Sequence, residues 1–329
     1  MRETGVRVRS STAVIPAAPI DRARLAALTA DEQQRFVDLH PRSAAKGRAA
    51  AAHLLGGVPM PWMTRLPGSF PLFFDEAHGA RFVDVDGIEY VDFCLGDTGA
   101  MAGHALPQVA DALAAQARRG ITTMLPNDDA PWVAEELARR FGLPVWQIAM
   151  TATDANRFVL RFCRHLTGRP KVLVMDWCYH GTVDEAFAVL DADGHVVARP
   201  GSLGPAVDPA LTTKVVQFND LDAMEAALRD GDVACVLMEP ALTNIGIVLP
   251  EPGYLEGVRE LTRRYGTLLI IDETHTICVG PGGATRAWGL DPDFFVIGKT
   301  IGGGMLFATD GATTEMADLL AQPVAQDRI

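Results

Sequence analysis

From residue 145 onward the apolar positions of the chain fall in short unbroken runs, "WQIAM", "KVLVMD", "TKVVQF", "VACVLMEP", "TLLIIDE" and "FFVIGK". Most are separated by stretches with apolar residues at helical spacing, such as "DLDAMEAALRDG" and "GYLEGVRELTRRYG". A strand covered by helices on both faces has no polar face to show, so its sequence reads as a continuous apolar run. The repeated order of strand and helix therefore predicts an α/β body with a mainly parallel sheet between helices. Upstream, "ARFVDVDGIEYVDFCLG" alternates apolar and polar residues around Asp86 and Gly87, which predicts a β-hairpin. "LPQVADALAAQARRG" and "APWVAEELARRFG" predict amphipathic helices, each closed by glycine. "TADEQQRFVDLHPRSAAKGRAAAAHLL" predicts a helical arm interrupted at Pro41 and ended by "GGVPMPW". On this pattern residues 1–104 form an N-terminal arm, helix and hairpin segment, 105–311 a large α/β domain, and 312–329 a short carboxyl-terminal remnant.

In sheets of this kind ligands bind beyond the carboxyl ends of the strands. Three of the runs deliver an ionisable residue there: Glu239, Asp272 followed by Glu273, and Lys299. A lysine at a buried rim loses its proton more easily than one in water, and a neutral amine condenses with an aldehyde. An aspartate on a neighbouring strand end suits a proton on a pyridine nitrogen, which keeps the ring electron-withdrawing. The plainer alternative is that Asp272 caps a helix and Lys299 is a solvated loop residue. "AMTATDANRFVLRFCRHLTG" sets Thr151, Ala152 and Thr153 between a strand and a helix beginning near Asp154, where backbone N–H groups and hydroxyls suit a phosphate or simply cap the helix. "VMDWCYHG" places Tyr179 and His180 just past the next strand, as a stacking platform or as ordinary packing.

Composition narrows the classes. With 329 residues, 48% hydrophobic and 21% charged, the chain is large enough to bury a substantial core. Lys and Arg total 29 against 41 Asp and Glu, a formal charge of -12, so nucleic acid would be repelled. Five cysteines, Cys94, Cys163, Cys178, Cys235 and Cys278, are dispersed with no CxxC pair, which points to reduced core thiols and no zinc site. No apolar stretch reaches the roughly 20 residues of a membrane span. The start, "MRETGVRVRSSTAVIPAAP", is cut by Pro16 and Pro19, unlike a secretory leader, and reads as a loose cytoplasmic tail. No strand run opens into GxGxxG with a later acidic residue, which argues against a nicotinamide-dependent oxidoreductase.

The ordered set "TATDAN", "WCYHG", "LMEPALTNIG", "IIDETHT" and "GKTIGGG" resembles the class III, subgroup II pyridoxal-phosphate aminotransferases, within them most the glutamate-1-semialdehyde aminomutase and β-amino-acid transaminase branch. The resemblance runs from "LLGGV" to about Gly304. It implies the fold type I large domain, pyridoxal 5′-phosphate as cofactor, a homodimer, and small-molecule amino donors and oxo acceptors. It implies that Lys299 forms the internal aldimine and moves the substrate proton, and that Asp272 faces the pyridine nitrogen. It places Thr151, Ala152 and Thr153 at the phosphate, Tyr179 on one ring face with His180 beside it, and Thr274 on the other face. Glu239 and Asn244 fall near the ring hydroxyl, Glu273 supports the site, and Gly302, Gly303 and Gly304 make the turn after the lysine.

Three departures shape the expected function. The phosphate loop reads Thr-Ala-Thr where the family has Ser-Gly-Thr. Where the aminomutases carry a carboxylate-binding arginine, Met63 stands, with Arg65 two residues on, which puts the aminomutase substrate in doubt; Arg65 and Arg286 are the only nearby candidates for that task. After the glycines, "MLFATDGATTEMADLLAQPVAQDRI" resembles the family's continuation only loosely, so a carboxyl-terminal small domain is expected to be missing. The expected activity is amino-group transfer between a small amino acid or amine and an oxo acid or aldehyde; the alternatives are an aminomutase-like isomerase and a truncated, impaired relative.

Overall fold

The computed structural model describes residues 20–322; the expected amino-terminal tail and the end of the expected remnant lie outside them. The described chain divides into two compact units, one running to Ala77 and including Arg81–Val91, the other comprising His78–Ala80 and the residues from Asp92 on. In the first unit, helix α1 (Arg22–Leu39) starts on Asp21, whose carboxylate accepts the Arg24 N–H, and α2 (Pro41–Ala50) starts on Pro41. Proline has no N–H to leave unpaired and its fixed φ suits a first helical turn, so the interruption read at Pro41 is a new beginning. Strands β1 (Phe74–His78), β2 (Arg81–Asp84) and β3 (Glu89–Val91) form a three-stranded sheet, with β2 and β3 antiparallel across the Asp86-Gly87 turn.

The second unit holds the expected α/β body. It contains α3 (Pro107–Arg119), α4 (Asp129–Phe141), β4 (Val145–Ala149), α5 (Ala152–Thr167), β5 (Lys171–Met175), β6 (Ala188–Leu190) and β7 (Val196–Ala198). Then come α6 (Pro209–Thr212), β8 (Thr213–Val216), α7 (Leu221–Leu228), β9 (Val233–Met238), α8 (Tyr254–Tyr265), β10 (Leu268–Asp272) and α9 (Gly283–Ala287). Strands β11 (Phe294–Ile297) and β12 (Ala308–Ala312) and helix α10 (Thr314–Ala321) complete it. The sheet has seven strands in the order β4-β12-β11-β10-β9-β5-β8, and β12 alone runs against the rest. The fold is the α/β type with a mainly parallel sheet.

All six residues of β9 and all four of β11 are buried, as the unbroken apolar runs require. Fully burying one such side chain is worth about 1.5–3 kcal/mol, so these strands anchor the unit. Helix α5 turns Ala155, Asn156, Val159, Leu160 and Cys163 inward at three- and four-residue spacing, and it ends on Gly168 in the left-handed region. Cys163, Cys178 and Cys235 are buried free thiols, whereas Cys94 and Cys278 are exposed, so the expectation of core thiols holds for three of the five. Among the described residues no helix is long and apolar enough to cross a membrane.

Candidate active site

Strands β9, β10 and β11 are parallel neighbours, so their carboxyl ends bring Glu239, Asp272 and Lys299 to one rim. Asp272 is 3% exposed, with hydrogen-bond neighbours on both oxygens. Its Oδ2 accepts from Asn156 Nδ2 at 2.9 Å and contacts His180 Nδ1 at 2.9 Å, and its Oδ1 accepts from the Thr274 N–H at 3.0 Å and the Thr274 hydroxyl at 2.6 Å. Burial by itself would raise the carboxyl pKa; the hydrogen bond and charge of His180, with Thr274 and Asn156, override it and hold Asp272 at about 2. Burial likewise opposes a charge on His180, yet neighbouring Cys178 and Asp272 push its pKa well above the usual imidazole range. The pair is therefore an ion pair at the end of β10. His180 Nε2 and Asn156 Oδ1 are buried without hydrogen-bond partners.

Lys299 follows β11 at φ +50°, a left-handed conformation rare for a residue with a Cβ and often found where a side chain must be aimed. The side chain is 24% exposed; its Nζ lies 2.6 Å from His275 Nε2 and 2.7 Å from Asp97 Oδ2. Asp97 is delivered by residues 95–98, all with positive φ, and the Thr300 hydroxyl donates to the Thr98 carbonyl at 2.8 Å, tying this turn to the one that carries Lys299. Burial would raise the Asp97 carboxyl, but the bond and charge of Lys299 bring it below the usual range. The charge of Asp272 also reaches His275, so both strand-end groups converge on that imidazole.

The helix after β4 begins at Ala152, two residues earlier than the sequence suggests. Thr151 fills the ordinary capping role: its hydroxyl accepts the Asp154 N–H and donates to the Asp154 carboxylate at 2.8 Å. Thr153 Oγ1 accepts the Thr182 N–H at 3.1 Å, and Gly181, at φ +79°, lies so close that a Cβ there would sit 2.8 Å from Thr153 Cα. Ala152 borders the lysine turn, because a Cβ at Gly298 would meet the Ala152 methyl at 2.8 Å. The first N–H groups of α5 thus open between the Lys299 turn and the loop after β5.

Tyr179 is half-buried, edge-on to Phe187 with ring centres 6.3 Å apart. Burial and the charge of Asp97 raise its phenol pKa. Glu239 is buried, with its Oε2 accepting the Thr243 hydroxyl at 2.5 Å; burial, then the charge of Asp272, raises its pKa. Asn244 Nδ2 donates to the Trp177 carbonyl at 3.2 Å. Glu273 accepts from the Thr276 hydroxyl at 2.9 Å and from the N–H groups of Ala284 and Thr285, which fixes the turn after β10. Arg286 donates to the Arg139 and Arg140 carbonyls at the end of α4, a structural task.

Asn156, Asp97 and His275 were not singled out by the sequence reading. Asn156 lies one turn into a helix and within "TATDAN", so its inward spacing was the available signal. His275 lies within "DETHT" three residues after the aspartate. Nothing local marks Asp97, which reaches Lys299 across 202 positions of chain only through the fold.

Residues 63–324 match the family described as aminotransferase class-III. A glutamate-1-semialdehyde 2,1-aminomutase of Chloroflexus aggregans is 36% identical over 291 residues, covering 86% of this chain and 66% of that protein. Its counterpart in Symbiobacterium thermophilum is 38% identical over 293 residues, covering 86% and 66%. This chain therefore spans just under two thirds of the length of these relatives. A solved glutamate-1-semialdehyde-aminomutase of Pseudomonas aeruginosa in complex with PMP is 56% identical, with a TM-score of 0.89 over 92% of this chain and 66% of that one. An omega-transaminase from Sphaerobacter thermophilus is 30% identical, with a TM-score of 0.78 over 84% and 64%.

Proposed function

The chain belongs to the class III aminotransferase family, and from that premise we propose that it uses pyridoxal 5′-phosphate to move an amino group between a small amino acid or amine and an oxo acid or aldehyde. The observation that carries this reading is the pairing of β10 with β11, which sets the Asp272 carboxylate and the Lys299 amine at neighbouring strand ends. The residues present fit the cofactor. Asp272 is buried and ionised, the partner a protonated pyridine nitrogen needs. Lys299 offers a primary amine on the same rim, and the amino terminus of α5 offers N–H groups to a phosphate.

When bound, the cofactor supplies an aldehyde that takes up amines and a ring that withdraws electrons from the neighbouring carbon. This chain's residues would then divide the work. Asp272, fixed in place by four hydrogen bonds, would hold a proton at the ring nitrogen with little reorganisation. Lys299 would present its Nζ to the aldehyde carbon and move protons at that atom. Thr151, Ala152 and Thr153 would hold the phosphate; Tyr179, with His180 beside it, and Thr274 would exclude water from the two ring faces; Glu239 and Asn244 would lie near the ring hydroxyl.

A cytoplasmic homodimer acting on small molecules completes the proposal. An aminomutase is the second reading, favoured by the 56% identity to the P. aeruginosa enzyme, while Met63 in place of the expected arginine speaks against it.

The test is spectral. Reconstituted protein should show a visible band that is absent in Lys299→Ala, and a panel of amino donors should bleach it. A band that persists without the amine of Lys299 removes the reading. A band that no donor shifts removes the transferase activity, and interconversion of a single amino aldehyde without net transfer selects the aminomutase.

A further inference from the structure

An ammonium has no lone pair, so Lys299 attacks nothing until a proton leaves its Nζ. Its neighbour Asp97 has a carboxylate held below the usual range, a weak proton acceptor. Its other neighbour is an imidazole at hydrogen-bond distance, 2.6 Å. We propose that His275 is the general base and acid for imine formation at Lys299. It removes the proton from Nζ as that nitrogen attacks an aldehyde carbon, and returns it to the departing oxygen.

The step balances. The N–H bond breaks toward His275 Nε2, and the freed electron pair forms the Nζ–C bond. Two of the three ammonium protons, passed through the imidazole, leave on the carbonyl oxygen as water while the C–O bond breaks. The third stays on the iminium nitrogen, and His275 ends neutral as it began.

The surroundings suit the task. The charged groups that reach His275 are Lys299, Asp97 and Asp272. Burial first, and then the charge of Lys299, lower its pKa against the pull of the two carboxylates, which favours the neutral ring that can take up a proton. Asp97 lies 2.7 Å from Nζ and serves as counter-ion whichever of the two bases holds the proton. The turn that carries His275 is braced: the Ile277 N–H donates to the Glu273 carbonyl at 3.0 Å, and the buried Glu273 carboxylate is tied to Thr276, Ala284 and Thr285. The proposal deepens the aminotransferase reading and rests on it for the identity of the aldehyde.

The experiment follows capture of pyridoxal 5′-phosphate by the cofactor-free full chain in stopped flow, for wild type, His275→Gln and His275→Ala. Both variants should capture about a hundredfold more slowly, without the pH–rate limb that imidazole supplies, while the amount bound at equilibrium is unchanged. Added free imidazole should restore part of the His275→Ala rate, which a packing role would not predict. Capture at the wild-type rate, or slowed capture that imidazole does not restore, overturns the proposal. If wild type takes up no cofactor, the aminotransferase reading falls. Acetaldehyde trapped at Lys299 by cyanoborohydride and read by peptide mass then applies the same criterion: slowing in His275→Gln with imidazole rescue of His275→Ala supports it, and neither overturns it.

Discussion

Asp272 and Asp310 belong to the same seven-stranded sheet, two strands apart, and are 3% and 4% exposed. Their carboxyls nevertheless titrate far from one another, at about 2 and about 7. Burial raises both. Asp272 has four donors on its two oxygens, one of them the His180 imidazolium. Asp310 leaves its Oδ1 buried without a partner, and only its own backbone opposes the burial. The difference teaches that the donors around a carboxyl, rather than its depth, decide whether it carries charge. One aspartate is built to stay ionised, and the other carries a standing cost whenever it ionises.

The comparison can be broken at its charged end first. Asp272→Asn leaves the His180 imidazolium buried without a counter-charge and should cost about 3–5 kcal/mol of stability. Urea denaturation at pH 7 measures it, and a loss below about 1 kcal/mol would mean that the pair is not ionised.

The opposite sign is expected at Asp310. Its folded pKa of about 7 lies above the ordinary 3.8, so between those values the folded state binds more protons than the unfolded one. Stability should therefore fall as pH rises from about 4 to 7 and stay reduced above, by roughly 4 kcal/mol in all. Asp310→Asn should remove that part of the pH dependence. Unfolding midpoints at pH 5 and pH 8 that differ equally in variant and wild type would refute the assignment.

The smallest effect sharpens the comparison. Thr274→Val deletes the hydroxyl donor 2.6 Å from Asp272 Oδ1. It should cost roughly 1.5–3 kcal/mol, the usual range for a hydrogen bond to a charged group. The carboxyl pKa should climb from about 2, as read by carbon NMR of the labelled aspartate; an unmoved titration would show that the Thr274 hydroxyl has no part in setting the charge.

How much of this was legible depends on how local the cause is. Strands β5, β8, β9, β10 and β11 announce themselves because burial on both faces forces apolar runs. Strand β4, at the sheet edge, is legible from its composition although Val145, Gln147 and Ile148 are exposed. Asp272 and Lys299 stood out because polar residues ending such runs need a reason. Strand β12 was invisible, since "ATDGA" contains no large apolar residue. Its small residues make room: a Cβ at Gly311 would lie 2.9 Å from the Trp146 ring that covers it. Strands β6 and β7 were missed because three-residue strands offer too few positions to show a period. The partners of the site residues were hidden for another reason. His180 meets Asp272 across 92 positions and Asp97 meets Lys299 across 202, distances over which no spacing rule operates.

Strand β12 also has a consequence in time. Strand β4 joins the sheet only by pairing with β12, Ala149 against Ala308. A ribosome adding roughly 5–20 residues per second needs on the order of ten seconds or more to make the intervening chain. Throughout that interval β4 exposes the edge that its late partner will cover. This stretch, more than the long parallel strands, is where a nascent chain would meet a chaperone or another copy of itself.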